Sequence, residues 1–309
     1  MVMKTKSGKQ ISWIDLFIKG TAAFCLLHII SLLPDLSYFI GDKALVIDDI
    51  SSVKNSSVAL STHYLWENFQ TYLPIGKDDF VIGILGIYML ALVAMIFNVA
   101  ALPAAIIALL LKIVVNNSMR FYVYGLDGFE VIALFYCVVF VNYNRSDVPV
   151  KGIQRFLQPN NLFRVLQLHL CIVYFFGGLG KILGHNWWNG ESVWKAIHLV
   201  DSPEYFDSYA LGQYGELWTA LGIGTFALEL LYPIGVNIAR TRNFFLVGII
   251  GMHCVIGIFI GLHFFSAFMI FLNICAYVFP YVLAGSGKPQ TLAPPNSRDL
   301  HLVPAPANI

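Results

Sequence analysis

The sequence predicts an all-α fold: a polytopic transmembrane helical bundle of about eight helices. Composition is the first reason. Of the 309 residues, 58% are hydrophobic and 12% are charged, whereas soluble domains average roughly 45–50% and about 25%. The second reason is that the apolar residues form runs close to the ~20 residues that a helix needs to cross a bilayer. The third is that most charged residues lie between these runs.

The apolar runs predict the helices in order. They lie at 20–40, 80–97, 99–116, 129–143, 162–182, 216–238, 244–261 and 264–283. The run at 129–143 is short for a crossing, so the sequence leaves open whether it spans the membrane. We expect residues 1–284 to form one transmembrane domain. Residues 285–309 are rich in proline and polar residues, which predicts a disordered cytoplasmic tail.

The basic residues predict the orientation. With the N-terminus in the cytoplasm, the inside loops contain eleven lysines and arginines and the longer outside loops contain five. Basic residues concentrate in cytoplasmic loops of membrane proteins. We therefore expect a multi-pass protein of the cell inner membrane with both termini in the cytoplasm.

Several functional classes are not supported. The net charge of +1 gives no electrostatic basis for binding nucleic acid. All five cysteines lie in apolar runs, which is typical of buried thiols rather than of disulfides or CxxC sites. No HExxH or other tight ligand spacing is present, so no metal site is predicted. P-loop, GxSxG and dinucleotide-binding motifs are also missing.

Polar residues inside the spans are the candidates for function, because charges within a membrane are costly and usually face a bundle interior or a cavity. Lys181 lies at the outer end of the fifth span, where the alternative is a snorkelling lysine. Glu229 lies within the sixth span, where snorkelling would not help it. His253 lies in the seventh span and His263 near its outer turn, and for each the alternative is a bond to a neighbouring helix. Weaker candidates are Lys19, His28, Lys112 and His169.

Two outside loops, 41–79 and 183–215, are long and rich in tryptophan and tyrosine. Such residues settle at the level of the lipid headgroups, so the loops either anchor the protein at the interface or form a lid over a cavity. Two GxxxG spacings, Gly180 with Gly184 and Gly257 with Gly261, predict close helix contacts.

The segment 163–190 reads FRVLQLHLCIVYFFGGLGKILGHNWWNG. It resembles the signature of the HTTM (horizontally transferred transmembrane) family, which includes the membrane part of vitamin K-dependent gamma-carboxylases and the bacterial SdpB-like proteins. The matching positions are Arg164, Gln167, Tyr174, Phe175, Gly178, Lys181 and Trp187 through Gly190. Tyr124 through Asp127, Glu229 with Pro233, His253, and Phe265 with Ser266 resemble further family positions in order and spacing.

The resemblance implies a function at the outer leaflet, on or with a lipid, a quinone-like molecule or a small peptide. It implies Lys181 as a base in quinol chemistry, with a quinone or quinol as cofactor. Glu229 and His253 are then the catalytic partners that orient a substrate or move a proton. The expected substrate-binding residues are Asp127, Tyr174, Trp187 and His263.

The resemblance leaves the activity open between three classes. Gamma-carboxylases carry a large extramembrane domain after their helices, and this sequence ends soon after its last span, so we do not expect carboxylation of a large protein. A carboxylase-like lyase or oxygenase without that domain is the first class. A non-catalytic accessory, or an SdpB-like peptide maturation or export factor, is the second, and a transporter is the third.

Overall fold

The structure, a computed structural model, describes residues 2–4, 10–46, 60–72, 75–119, 121–145, 162–198 and 209–280. The predicted tail at 285–309 lies outside this part of the chain. The predicted all-α fold is confirmed. The one addition among the described residues is a short antiparallel hairpin of β1 (Val2–Lys4) and β2 (Gln10–Ser12), in which Val2 is opposite Ser12.

The helices follow the predicted spans to within a few residues at most ends. In chain order they are α1 (Trp13–Leu32), α2 (Leu36–Phe39), α3 (Thr62–Phe69), α4 (Lys77–Ile96), α5 (Ala101–Ser118), α6 (Gly125–Arg145), α7 (Leu162–Ile182), α8 (His185–Trp188), α9 (Glu191–His198), α10 (Gly215–Gly235), α11 (Arg242–Ile260) and α12 (His263–Tyr277). Short 3₁₀ helices lie at Leu33–Asp35 and Ala210–Gln213.

Six of the described helices are long and apolar enough to cross a membrane: α1 with its continuation to Phe39, α4, α5, α7, α10 and α11. Their outer faces carry large apolar side chains such as Leu90, Phe244 and Val247, each about 70% exposed. A helix that is apolar all round belongs in a lipid environment. The chain is thus a multi-pass membrane protein. The predicted number of about eight crossings is reached only if α6, of 21 residues, and α12, of 15, also cross.

The long helices form two four-helix groups. In the first group, α1 packs against α4 and α6, and α5 packs against the same two helices. In the second group, α7 packs against α10 and α12, and α11 packs against the same two. The groups meet where α12 contacts α1 and α6. Aromatic side chains fill this junction, with Phe17 of α1 stacked on Trp13 and on Phe271 of α12.

The C-terminal end of α12 is held by side chains from both groups. The indole nitrogen of Trp13 donates a hydrogen bond of 2.6 Å to the carbonyl of Cys275, and the Gln167 amide donates one of 2.8 Å to the carbonyl of Ala276. The last four carbonyls of a helix have no partner within it. These two bonds supply partners for two of them.

A glycine sets the close approach of α7 and α10. A Cβ on Gly178 would lie 2.6 Å from the backbone nitrogen of Leu230 in α10, so only glycine fits there. The GxxxG prediction is wrong for Gly180, because no atom of the described residues lies within 4 Å of its Cβ position. The glycine that does make the contact is therefore two residues earlier in the chain, where it brings the two helix backbones together beside Lys181 and Glu229.

Candidate functional site

Lys181 and Glu229 form an ion pair between the last turn of α7 and the interior of α10. The Lys181 ammonium donates a hydrogen bond of 2.6 Å to Oε2 of Glu229. The lysine side chain is 23% exposed and the glutamate side chain 8%. Gly177 makes room for the pair, since its Cβ position is 3.2 Å from the same Oε2 and 3.8 Å from the lysine nitrogen. The two residues that we predicted as partners thus lie in direct contact.

The turn after α7 places an aromatic ring on this ion pair. The Lys181 nitrogen lies 5.3 Å from the centre of the Trp187 ring, within the range of a cation–π interaction. Gly190 ends the Trp-x-x-Gly segment with a φ of +78°, and a Cβ there would overlap the carbonyl of Trp218 in α10. A glycine is required at 190 for both reasons. It holds the turn, and with it Trp187, against α10.

A chain of hydrogen bonds lies two turns further into α7. The amide nitrogen of Asn273 donates to the hydroxyl of Tyr174 (2.8 Å), and the hydroxyl of Tyr232 donates to the amide oxygen of Asn273 (2.6 Å). The Tyr174 hydroxyl lies 2.9 Å from Nε2 of His253. With the imidazole proton on Nδ1, the Tyr174 hydroxyl donates to Nε2; with the proton on Nε2, the ring donates to the hydroxyl.

Two buried polar atoms beside these hydrogen bonds have no partner among the described residues. They are Nδ1 of His253 and the hydroxyl of Ser266. The Cβ position of Gly257, one turn after His253 in α11, lies 3.3 Å from the Ser266 hydroxyl. Both atoms therefore lie near the contact between α11 and α12. Buried polar groups without a partner are rare, so this contact can take a polar group of a ligand or a water molecule.

The remaining predicted site residues lie elsewhere. Asp127 belongs to the other helix group, at the start of α6, where it forms an ion pair of 2.9 Å with Lys112. His263 is exposed at the first residue of α12. The structure therefore brings together Lys181, Glu229 and Trp187 as one contact group and Tyr174 and His253 as a second, but it does not add Asp127 or His263 to either.

Three polar residues of these clusters were missed by the sequence reasoning. Asn273 and Tyr232 connect the helices around Tyr174, and Glu130 is buried beside Lys112. Asn273 and Glu130 each interrupt an apolar helix, which is the signal that could have found them. Tyr232 gives no such signal, because tyrosine is common in membrane helices.

An exposed ion pair of the same length offers a control. Lys195 and Glu191 of α9 are 2.6 Å apart, but their side chains are 55% and 40% exposed. The hydrogen bond and the charge of Lys195 lower the pKa of Glu191. This pair joins the same two side-chain types as Lys181 with Glu229, but it is exposed rather than buried.

Comparison of the chain with protein-family models, with curated proteins and with solved structures finds no match in any of the three. The HTTM resemblance stays a prediction from the sequence. The multi-pass architecture and the lysine–carboxylate pair inside it are the findings from which a function is proposed.

Proposed function

We propose that this is an HTTM-type membrane protein that acts on or with a lipid, a quinone-like molecule or a small peptide at the outer leaflet, with Lys181 and Glu229 as its acid–base pair. The single observation that carries the proposal is the 2.6 Å contact between these two residues within an apolar bundle. Trp187 lies over the pair and supplies a flat apolar surface for a ligand ring.

The chemistry requires the pair to work as a unit. An amine is a base only when it has lost its extra proton, and Oε2 of Glu229 is within reach to take that proton. Transfer gives a neutral amine beside a neutral carboxylic acid, which a low-dielectric interior favours over two separate charges. The amine then takes a proton from an O–H group of the ligand, and this produces an ammonium and a ligand anion that attract each other.

Two features support this proposal over a snorkelling lysine. A snorkelling side chain extends its ammonium into water, whereas the Lys181 ammonium contacts Glu229 and is mostly covered. In the same helix group, His253 and Ser266 each leave a polar atom without a partner among the described residues. Tyr174 acts as a positioning residue, because its hydroxyl holds the His253 ring through a hydrogen bond at Nε2.

The test is mass spectrometry of the small molecules that co-purify with the detergent-solubilised protein. We would compare the wild type with Lys181→Ala, Glu229→Gln and the control Lys195→Ala. The proposal expects a lipid- or quinone-like molecule that the wild type and the control retain and that both site variants lose. The same bulk-lipid profile in all four proteins would refute it.

The second candidate is a non-catalytic accessory or peptide maturation protein in which the pair only joins two helices. The observation in its favour is that the pair bridges α7 and α10 where Gly178 touches Leu230. Replacing Lys181 with methionine and Glu229 with glutamine together removes both charges. Under this alternative the double variant keeps its bound molecules and its elution volume in size-exclusion chromatography, whereas the acid–base proposal expects the ligand to be lost.

The orientation belongs to the same proposal, with both termini on the cytoplasmic side of the inner membrane. Single cysteines at Asn55, Asn144 and Ser202, in a background without the native cysteines, test it in intact cells. A membrane-impermeant maleimide should label positions 55 and 202 and leave 144 unlabelled. Labelling of 144 from outside would reverse the orientation and place Lys181 toward the cytoplasm.

A further inference from the structure

The first helix group contains a buried charge cluster of its own, which does not touch the Lys181 pair. Its members are His28 of α1, Lys112 of α5, and Asp127 and Glu130 of α6, all buried. The Lys112 ammonium binds Asp127 at 2.9 Å and also binds Glu130. Nδ1 of His28 lies 3.1 and 3.0 Å from the two carboxylate oxygens of Glu130, so it donates to that carboxylate.

Among the described residues, the cluster contains two carboxylates, those of Asp127 and Glu130, and one ammonium, that of Lys112. With the His28 ring neutral these groups sum to a net charge of −1, and with the ring protonated they sum to zero. An uncompensated charge in a protein interior is costly. A positively charged ligand next to the cluster would remove that cost in the form with neutral His28, so that form favours a cation over a neutral or anionic ligand.

A cavity of about 240 Å³ opens directly on the cluster. His28 and Asp127 line its polar side, and the rings of Phe39, Tyr122 and Tyr124 line the rest together with three aliphatic side chains. Nδ1 of His28 is already bonded to Glu130, which leaves Nε2 as the ring nitrogen that a ligand can reach. No hydrogen bond to Nε2 comes from the described part of the chain.

We infer that this cavity binds a small alkylammonium group, either free or as the headgroup of a lipid. Aromatic rings beside a negative site are the arrangement that recognises quaternary and primary ammonium ions. Both oxygens of Asp127 are already bonded, one to Lys112 and one to the backbone N–H of Tyr124 at 3.1 Å. A methylated ammonium needs no further acceptor, because the charge of the cluster and the ring faces attract it.

A metal ion fits the same residues less well. Donor atoms of His28, Asp127 and Glu130 lie within 4.8 Å of one another, but the Lys112 ammonium already bridges the two carboxylates. A metal would have to displace that ammonium into an apolar interior. The cavity is also larger than an ion needs, and its aromatic walls offer no metal ligands.

Isothermal titration calorimetry of the full chain in detergent tests the inference. The probes are choline and its neutral isostere 3,3-dimethylbutan-1-ol, which has the same shape without the charge. Choline should bind at least about tenfold more tightly than the isostere. Tyr124→Leu should weaken choline binding about three- to thirty-fold, the range expected for one lost cation–π contact. The control Tyr38→Leu changes an exposed tyrosine near this end of α1 that does not line the cavity, and should have no effect.

Reconstitution into nanodiscs identifies the source of the ammonium group. Phosphatidylethanolamine should compete with choline if the cavity takes a lipid headgroup, and phosphatidylglycerol should not. Equal choline affinity in both lipids assigns the cavity to a free ammonium compound. Three results would each overturn the inference. They are equal binding of choline and its isostere, no binding of choline at about 10 mM, and displacement of choline by Mn²⁺.

Discussion

The ion pair of the candidate site predicts an asymmetry between its two members. Replacing Lys181 by methionine strands the Glu229 carboxylate, which is 8% exposed and lies well inside α10. Replacing Glu229 by glutamine leaves the Lys181 ammonium unpaired, but that side chain is 23% exposed in the last turn of α7 and can extend toward the polar interface. The lysine variant should therefore lose more stability than the glutamate variant.

The magnitude follows from the burial. Removing one partner of a fully buried pair costs about 3–5 kcal/mol. Because Lys181 is partly exposed, we expect Lys181→Met to lower the free energy of unfolding by about 3 kcal/mol, near the lower limit of this range. Glu229→Gln should lower it by about 1 kcal/mol, because the unpaired ammonium can reach the interface. The double variant leaves no unpaired charge and should lose about 2 kcal/mol, which gives a coupling free energy of about 2 kcal/mol.

The assay is equilibrium unfolding in detergent micelles with increasing SDS, followed by tryptophan fluorescence. Lys195→Met is the control, because its pair with Glu191 is exposed and should make no measurable contribution. Equal losses in the two single variants, or effects that add within about 0.5 kcal/mol, would refute the reasoning. That result would mean that water or lipid headgroups, rather than the partner, satisfy each charge.

Three further predictions concern single residues; the first two use the same unfolding assay. Gly178→Ala should cost about 1–3 kcal/mol because its methyl group meets the backbone of Leu230, while Gly180→Ala should be neutral or slightly stabilising; equal effects would contradict this helix contact. Asn273→Ala should cost about 1–3 kcal/mol, since it removes the amide that accepts from the Tyr232 hydroxyl and donates to the Tyr174 hydroxyl, and a neutral result would show that water replaces the amide. Gly190→Ala should abolish the fold of the turn after α7, which limited proteolysis would detect as new cleavage there.

The fold was predictable because the apolar runs are long and most charged residues lie between them. With α1 and its continuation to Phe39 taken as one span, the largest difference is its start at Trp13, seven residues before the predicted 20. Asp15 and Lys19 interrupt the apolar run there, but Trp13 and Phe17 are buried against the other helices. Ser12 caps the helix by accepting from the backbone N–H of Asp15 at 3.0 Å. A serine three residues before an acidic residue is a known start signal, so this boundary was readable from the sequence.

The site was only partly predictable. Lys181, Glu229 and Trp187 were identified singly, from their charge or from the resemblance, and the structure places them in contact. Asp127 was assigned to the same site, yet it pairs with Lys112 in the other helix group. Sequence order gives no information on which of two intramembrane lysines a carboxylate will meet. That depends on how the helices pack.

The hydrogen bonds from Trp13 and Gln167 to the C-terminal end of α12 bear on how short a helix can be inside a membrane. With 15 residues, α12 is about 22 Å long, less than the ~30 Å of a hydrocarbon core. A helix that stops inside lipid exposes carbonyl groups that no water can reach. The indole and the amide take the place of that water at Cys275 and Ala276. The last described long helix can therefore be shorter than a full crossing, with the N-terminal helix supplying one of the two partners for its end.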